Sequence, residues 1–210
     1  TLSPSSAASD VYKRQTGDYY VSGTTRGGTA LIWEGDAGIT PLQIGDGTKD
    51  VYDTRLRNFM IYNDVNSTVP TILFNRTQKD YLENIIVRRF YIGIKFTAPE
   101  EAFSANHVLI NPIITGCIAD NGIGIEFGFH DNYGLVIGGY IYGASSVKTG
   151  SRGLRTQSSG HTFIRVLIEG FDIGIENNGY NYCYNVAFDG TVNTPISDVS
   201  GELRLSLIHI

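Results

Sequence analysis

Glu169, Asp172 and Asp189 lie close together near the end of the chain, shortly after Tyr140 and Tyr142. Cleaving a glycosidic bond takes two carboxyl groups, one as acid and one as base or nucleophile. They stand about 5 Å apart for retention and about 6.5–9.5 Å apart for inversion. Glu169 and Asp189 fit that role if they occupy neighbouring strands, whose backbones run about 4.8 Å apart. Mutual repulsion there would raise one pKa, as a general acid requires. Tyr142, one strand away, and Tyr140 offer flat faces to a sugar ring. Glu126 and Glu176, with Arg155 between them, form a second pair at about 9.6 Å if two strand spacings separate them. A solvated acidic wall and an exterior salt-bridge ladder are the plainer readings of these two sets.

Repeated phrases supply the elements that would position these residues. Gly93-Ile94-Lys95-Phe96 returns as Gly124-Ile125-Glu126-Phe127, Gly153-Leu154-Arg155-Thr156 and Gly174-Ile175-Glu176-Asn177. A second phrase (apolar, variable, Gly) ends at Gly116, Gly143, Gly170 and Gly190. Strand-like phrases recurring at about 20–30 residues mark a stacked-coil architecture. Two phrases per period mean at least two strands per coil. Seven coils follow: 28–53, 54–80, 81–105, 106–131, 132–159, 160–180 and 181–201. Alternation puts Ile92, Ile94 and Phe96 on one face and Gly93 and Lys95 on the other.

This register makes columns. Lys95, Glu126, Arg155 and Glu176 stack with alternating sign. Arg88, Thr115, Tyr142, Glu169 and Asp189 form a second column. Coils 106–131 and 132–159 carry longer connections, around Cys117–Gly122 and Ala144–Ser151, which lie side by side as a lip. Asp120, Asn121, Ser145, Ser146 and Lys148 are its polar candidates, because loops tend to carry function. Together with Arg155, Asp120 and Lys148 join Tyr140 and Tyr142 as expected substrate contacts. His107 and His161 begin equivalent strands and read as register residues. His130-Asp131-Asn132 reads as a coil corner.

Composition bounds the function. Net charge is −5 without a Lys/Arg run, which lacks the footprint of a nucleic-acid binder. No stretch is long and apolar enough to span a membrane. Cys117 and Cys183 have no metal-type spacing and read as small buried hydrophobes. Asp120, Asp131 and neighbouring Asn could take calcium, but no calcium loop is complete, so no cofactor or metal is expected. Asn66-Ser67-Thr68 and Asn75-Arg76-Thr77 match the glycosylation triplet by chance-level pattern only.

The ends stand outside the repeat. Asp10–Gln15 can be encoded by a DNA string whose reverse complement encodes Leu205–Ile210. That inverted pair looks like the transposon-end adapter of a sequencing library. The expectation is an artefactual tail over residues 1–15, a β-helix fragment over 16–204 and a second tail over 205–210.

Asn84-Ile85-Ile86-Val87, Gly93-Ile94 and Gly174-Ile175-Glu176-Asn177 resemble the coil repeat of the right-handed parallel β-helix of the pectin-lyase-like superfamily. Gly17-Asp18-Tyr19-Tyr20-Val21-Ser22-Gly23 resembles the strand that precedes the first coil in phage tail proteins of that group. The resemblance covers about residues 17–200. It implies a right-handed parallel β-helix; with the repeat and the adapter-like ends, the expectation is an all-β solenoid of about seven coils, truncated at both ends. It also implies a polysaccharide partner, an extracellular or virion-tail setting and a homotrimer as in tailspikes. The family's catalytic motifs are mostly missing. Only Gly160-His161-Thr162 approaches Gly-His-Gly, and the Arg-x-Pro-x-x-Arg element of pectate lyases is absent. The expected function is therefore polysaccharide binding, with cleavage as glycoside hydrolase or lyase left open; for a lyase, Arg88 or Arg155 is the candidate base. The alternative is a non-catalytic rod of a tail fibre or adhesin.

Overall fold

The computed structural model describes residues 29–206 and, before them, the short strands at 15–16, 20–21 and 24–25. Of the expected tails 1–15 and 205–210, residues 1–14 and 207–210 lie outside the described residues, as does most of the Gly17–Gly23 phrase. Of that phrase Tyr20–Val21 is described, pairing antiparallel with Thr24–Thr25. Leu203–Ser206 crosses the expected 204/205 boundary and pairs parallel to Asn181–Tyr184.

Every regular element among the described residues is a β-strand. The four Gly-Ile and Gly-Leu phrases form adjacent strands inside one seven-stranded sheet. Its strands run Leu42–Ile44, Pro70–Asn75, Ile92–Thr97, Ile123–Phe127, Arg152–Thr156, Ile173–Asn177 and Thr194–Asp198. All neighbours in it are parallel. This sheet is called the glycine wall below.

A thirteen-stranded sheet forms the opposite side. Its long strands Arg55–Asn63 and Tyr81–Phe90 pair in parallel. Beyond Tyr81–Phe90 the sheet forks. Val108–Ile110 takes the first half of that strand and Ile113–Cys117 the second. The fork is a corner made by left-handed residues, Asn58, Asn84, Asn111, Gly138, Arg165 and Asn185, with φ between 50° and 65°. Asparagine tolerates this conformation better than other side-chain-bearing residues. Here Asn84 Nδ2 also donates to Asn58 Oδ1 at 3.0 Å, linking two corners. The parallel strands in stacked sheets are compatible with a β-helix-like solenoid.

The core fills the space between the walls. Leu82, Ile85, Val87, Leu109, Ile114, Val136, Ile141, Phe163 and Ile168 face Ile72, Ile94, Ile125, Leu154 and Ile175, all buried. Phe74, Phe96 and Phe127 occupy one register position and stack, with centroids 4.8 and 5.3 Å apart. Cys117 and Cys183 are free thiols buried in the same core. In the following strands the aromatic column gives way to Thr156, Asn177 and Asp198.

One expectation is corrected. Strict alternation placed Gly93 with Lys95 on the outer face. Instead, a Cβ on Gly93 would point at Ile114 Cγ2, 2.7 Å away in the core, and at the Gly124 carbonyl. Gly124 and Gly153 meet Ile141 and Ile168 in the same way. The residue before the glycine includes Arg152, which reaches outward to Glu176. Alternation fails because a residue without a Cβ can face a crowded wall that no side chain could enter. Gly124→Ala is therefore expected to cost about 1–3 kcal/mol. Gly190→Ala, which meets nothing within 4 Å, is the neutral control, and urea midpoints of both variants check the difference.

Candidate functional site

The glycine wall carries the alternating charges in the expected order: Lys95 pairs with Glu126, Glu126 with Arg155, and Arg155 with Glu176. Lys95 Nζ lies 3.2 Å from Glu126 Oε2, and Arg155 Nε lies 2.9 Å from Glu176 Oε1. Arg155 Nη1 is 3.8 Å from Glu126 Oε1. Arg152 adds a bond to Glu176 Oε2 at 2.5 Å. Glu126 Oε2 and Arg155 Nε make these contacts as ion pairs rather than aligned hydrogen bonds. Glu126 is only 2% exposed although it faces outward. The Gln157 amide, in the orientation that satisfies both its ends, donates to Glu126 Oε1 and accepts from Arg155 Nη2. Such a row can lock register; its carboxylates are all engaged.

The second outward column runs Arg88, Thr115, Tyr142, Glu169. Asp189 follows Phe188, the partner of Ile168, and its N–H donates to the Ile168 carbonyl at 3.1 Å. Tyr140 and Tyr142 stand as parallel rings 6.0 Å apart, because alternate residues of one strand share a face. The Tyr140 hydroxyl donates to Glu169 Oε2 at 2.7 Å. Burial, then the bond to Glu169 and its charge, pushes the Tyr140 phenol above its usual range, so it stays a donor. Asp189 is exposed, and its Oδ1 accepts from the Gly190 N–H. The arrangement offers ring faces beside carboxylate acceptors, the pairing that a sugar's apolar face and hydroxyls require.

Asp172 is held elsewhere. It accepts from Asn193 Nδ2 at 3.0 Å and from the Gly150 N–H at 2.7 Å. These bonds hold its carboxyl below the usual range, despite slight desolvation. That favours an anchor for the lip over a proton donor. The lip is a contact: Thr149 N–H donates to Asp120 Oδ1 at 3.0 Å, and Asn121 N–H to the Thr149 carbonyl at 2.8 Å. Ser145 and Ser146 are exposed there, and the Lys148 carbonyl accepts from Ser151 Oγ.

A buried polar cluster, unforeseen in its partners, crosses the core. Asp80, His107, Gly134 and His161 hold equivalent positions just before successive strands, and Asn181, which opens the next strand, continues the column. His107 Nδ1 lies 2.8 Å from Asp80 Oδ2, and Nε2 lies 2.9 Å from Asp131 Oδ1 and 2.9 Å from Ser104 Oγ. All three charged groups are inaccessible to solvent. Burial lowers the His107 pKa, but the bonds to Asp131 and Asp80 and their charges overcome it, lifting the ring to about 9. Burial raises Asp131, which the bond to His107 partly offsets. The ring stacks on Phe96 at 4.3 Å.

The Ser104–His107–Asp80 connectivity is that of a nucleophilic triad. It cannot act as one. The cluster is sealed, the raised pKa of the ring works against its acting as a base, and Ser104 Oγ donates to the Thr77 carbonyl at 3.0 Å. His161 is the complement. Its Nδ1 accepts from the Gly134 N–H at 3.0 Å, so Nε2 carries the hydrogen toward Ser158 Oγ, 3.0 Å away. Burial and the charge of His107 push its pKa to about 3, against a raising interaction with Asp131. Gly134 is a requirement: a Cβ there would strike the Phe127 ring and His161 Nδ1. The recurrence of Asp80, His107, Gly134 and His161 at one interval was a usable signal for this column.

No family model, no curated protein and no solved structure matches the chain.

Proposed function

We propose that the chain is a right-handed parallel β-helix of about seven coils, of the pectin-lyase-like kind, that binds a polysaccharide along the outer column Tyr142, Glu169 and Asp189. The observation that carries the reading is the parallel Tyr140–Tyr142 pair with the Tyr140 hydroxyl on Glu169. Aromatic faces cover the apolar face of a sugar ring, and neighbouring carboxylates accept its hydroxyls. Asp120 and Lys148 on the lip and Arg155 on the glycine wall are the further contacts in this reading. Glu169 and Asp189 are its cleavage pair. An extracellular or virion-tail setting and a trimer belong to the same proposal.

Affinity electrophoresis in gels containing polysaccharides of different linkage tests it. Retardation by at least one is expected. Tyr142→Ala should weaken it about tenfold or more, the scale of removing one aromatic anchor. Release of reducing ends by the wild type, abolished in Glu169→Gln and Asp189→Asn, would add hydrolysis. Retention without turnover leaves a binding module. No retardation by any glycan, in a folded protein, would support the rival reading of a structural rod, which the fully engaged charge row of the glycine wall favours.

A further inference from the structure

A depression of about 390 Å³ opens on the outer surface beside Arg55, Arg57, Lys79, Tyr81, Asn106 and Val108. Register builds it. Arg55, Tyr81 and Val108 are direct partners in three successive strands. Lys79 and Asn106 precede them at the adjoining corner, both left-handed with φ of 59° and 60°. One side of the depression is therefore cationic, and the other is an aromatic ring and an aliphatic side chain.

The charges are unevenly satisfied. Arg57 lies 3.3 Å from Glu83 and over the Tyr81 ring at 4.9 Å. Arg55 and Lys79 are exposed and have no ion-pair partner among the described residues. Asp80 also borders the depression, but its side chain is buried, with Oδ2 2.8 Å from His107 Nδ1. Two unpaired cations thus face one hollow in a chain of net charge −5. We infer that this depression binds a ring-sized molecule bearing a carboxylate, sulfate or phosphate group, with the acid on Arg55 and Lys79 and the ring edge against Tyr81 and Val108. The volume sits at the lower end of ligand pockets, which run about 300–1,000 Å³, so one ring rather than a chain is the fit. The Asn106 amide is placed to bond a hydroxyl. The site lies on earlier strands and another column than Glu169 and Asp189, and it goes beyond the glycan reading.

The test titrates the protein with a carboxylated monosaccharide, a sulfated one, their neutral parent and inorganic sulfate, at low and at physiological salt. Heteronuclear NMR or calorimetry is the readout. The acidic sugars should bind about tenfold or more tighter than both the neutral parent and inorganic sulfate. The Arg55→Glu/Lys79→Glu variant should lose that preference, with circular dichroism unchanged because both side chains are exposed. Arg165→Glu, an exposed arginine on a different corner, should keep it. Equal binding of the neutral parent overturns the inference. So does equal binding of inorganic sulfate, which would mean a bare anion site, or an equal loss in Arg165→Glu, which would mean long-range attraction only. Tyr142→Ala should leave this binding unchanged, so failure here and failure of the polysaccharide wall are separate results.

Discussion

Followed by urea midpoint from about pH 3 to about pH 9, stability is expected to peak near pH 6.5 and fall on both sides. Two histidines in one stacked column produce the two limbs. His107 has its folded pKa raised from 6.5 to about 9. Its stabilisation is complete below 6.5 and is lost as pH rises through 9, a change of about 3 kcal/mol at 1.36 kcal/mol per unit. His161 has its folded pKa lowered from 6.5 to about 3. Its stabilisation is complete above 6.5 and is lost as pH falls through 3, about 5 kcal/mol on the same scale. Protonation there must break the Gly134 N–H bond to Nδ1 and place a second cation near His107.

Other groups shape the acid limb. Asp131, raised by burial, gains protons on acidification in the folded state and makes that limb shallower. Asp172, lowered by Asn193 and Gly150, makes it steeper. Substitution separates the contributions. His161→Gln should flatten the acid limb and leave the alkaline one, whereas His107→Gln should flatten the alkaline limb and also soften the acid one, because it removes a charge that helps to depress His161. A midpoint that is flat from pH 6.5 to 9 in the wild type would mean that His107 is not charged in the core.

The second large effect is on the buried ion cluster itself. Asp131→Ala should destabilise by about 1–3 kcal/mol, because it removes one of the two carboxylates on the buried His107 ring and leaves Nε2 only the Ser104 hydroxyl. The triple change Asp80→Leu, His107→Phe, Asp131→Leu should recover most of that loss. Replacing a whole buried ion cluster by apolar groups is often neutral or stabilising, and a phenyl ring at 107 would rest on Phe96 as the imidazole does. The triple variant should also lose the alkaline limb. Denaturant unfolding at neutral pH checks both. A triple variant no more stable than Asp131→Ala would show that the cluster contributes more than an apolar filling of the same space.

The Lys95–Glu126–Arg155–Glu176 column was legible in the sequence because the repeat set the rung and strand geometry set the outer position. Tyr142 over Glu169 followed by the same rule. The direction of Gly93, Gly124 and Gly153 was not legible, since alternation presumes a Cβ whose placement must be accommodated. The Asp131 partner of His107 was hidden for another reason, although the even recurrence of Asp80 and His107 marked their shared column. Asp80 ends one corner, while Asp131 lies in a two-residue strand beside Ser104. The approach of Asp131 depends on the lengths of the corners on either side of these strands, which no local pattern encodes. The Asp172 anchor was hidden likewise, because its bond to Gly150 joins a tight connection to the end of a long one.

Hydrogen–deuterium exchange with and without the retarding polysaccharide tests the central claim most directly. The account expects slowed exchange in Tyr140–Tyr142, Leu167–Glu169 and the lip around Asp120 and Thr149, with the inner strand residues unchanged. Protection confined to other strands, or none at a saturating glycan concentration, would contradict it.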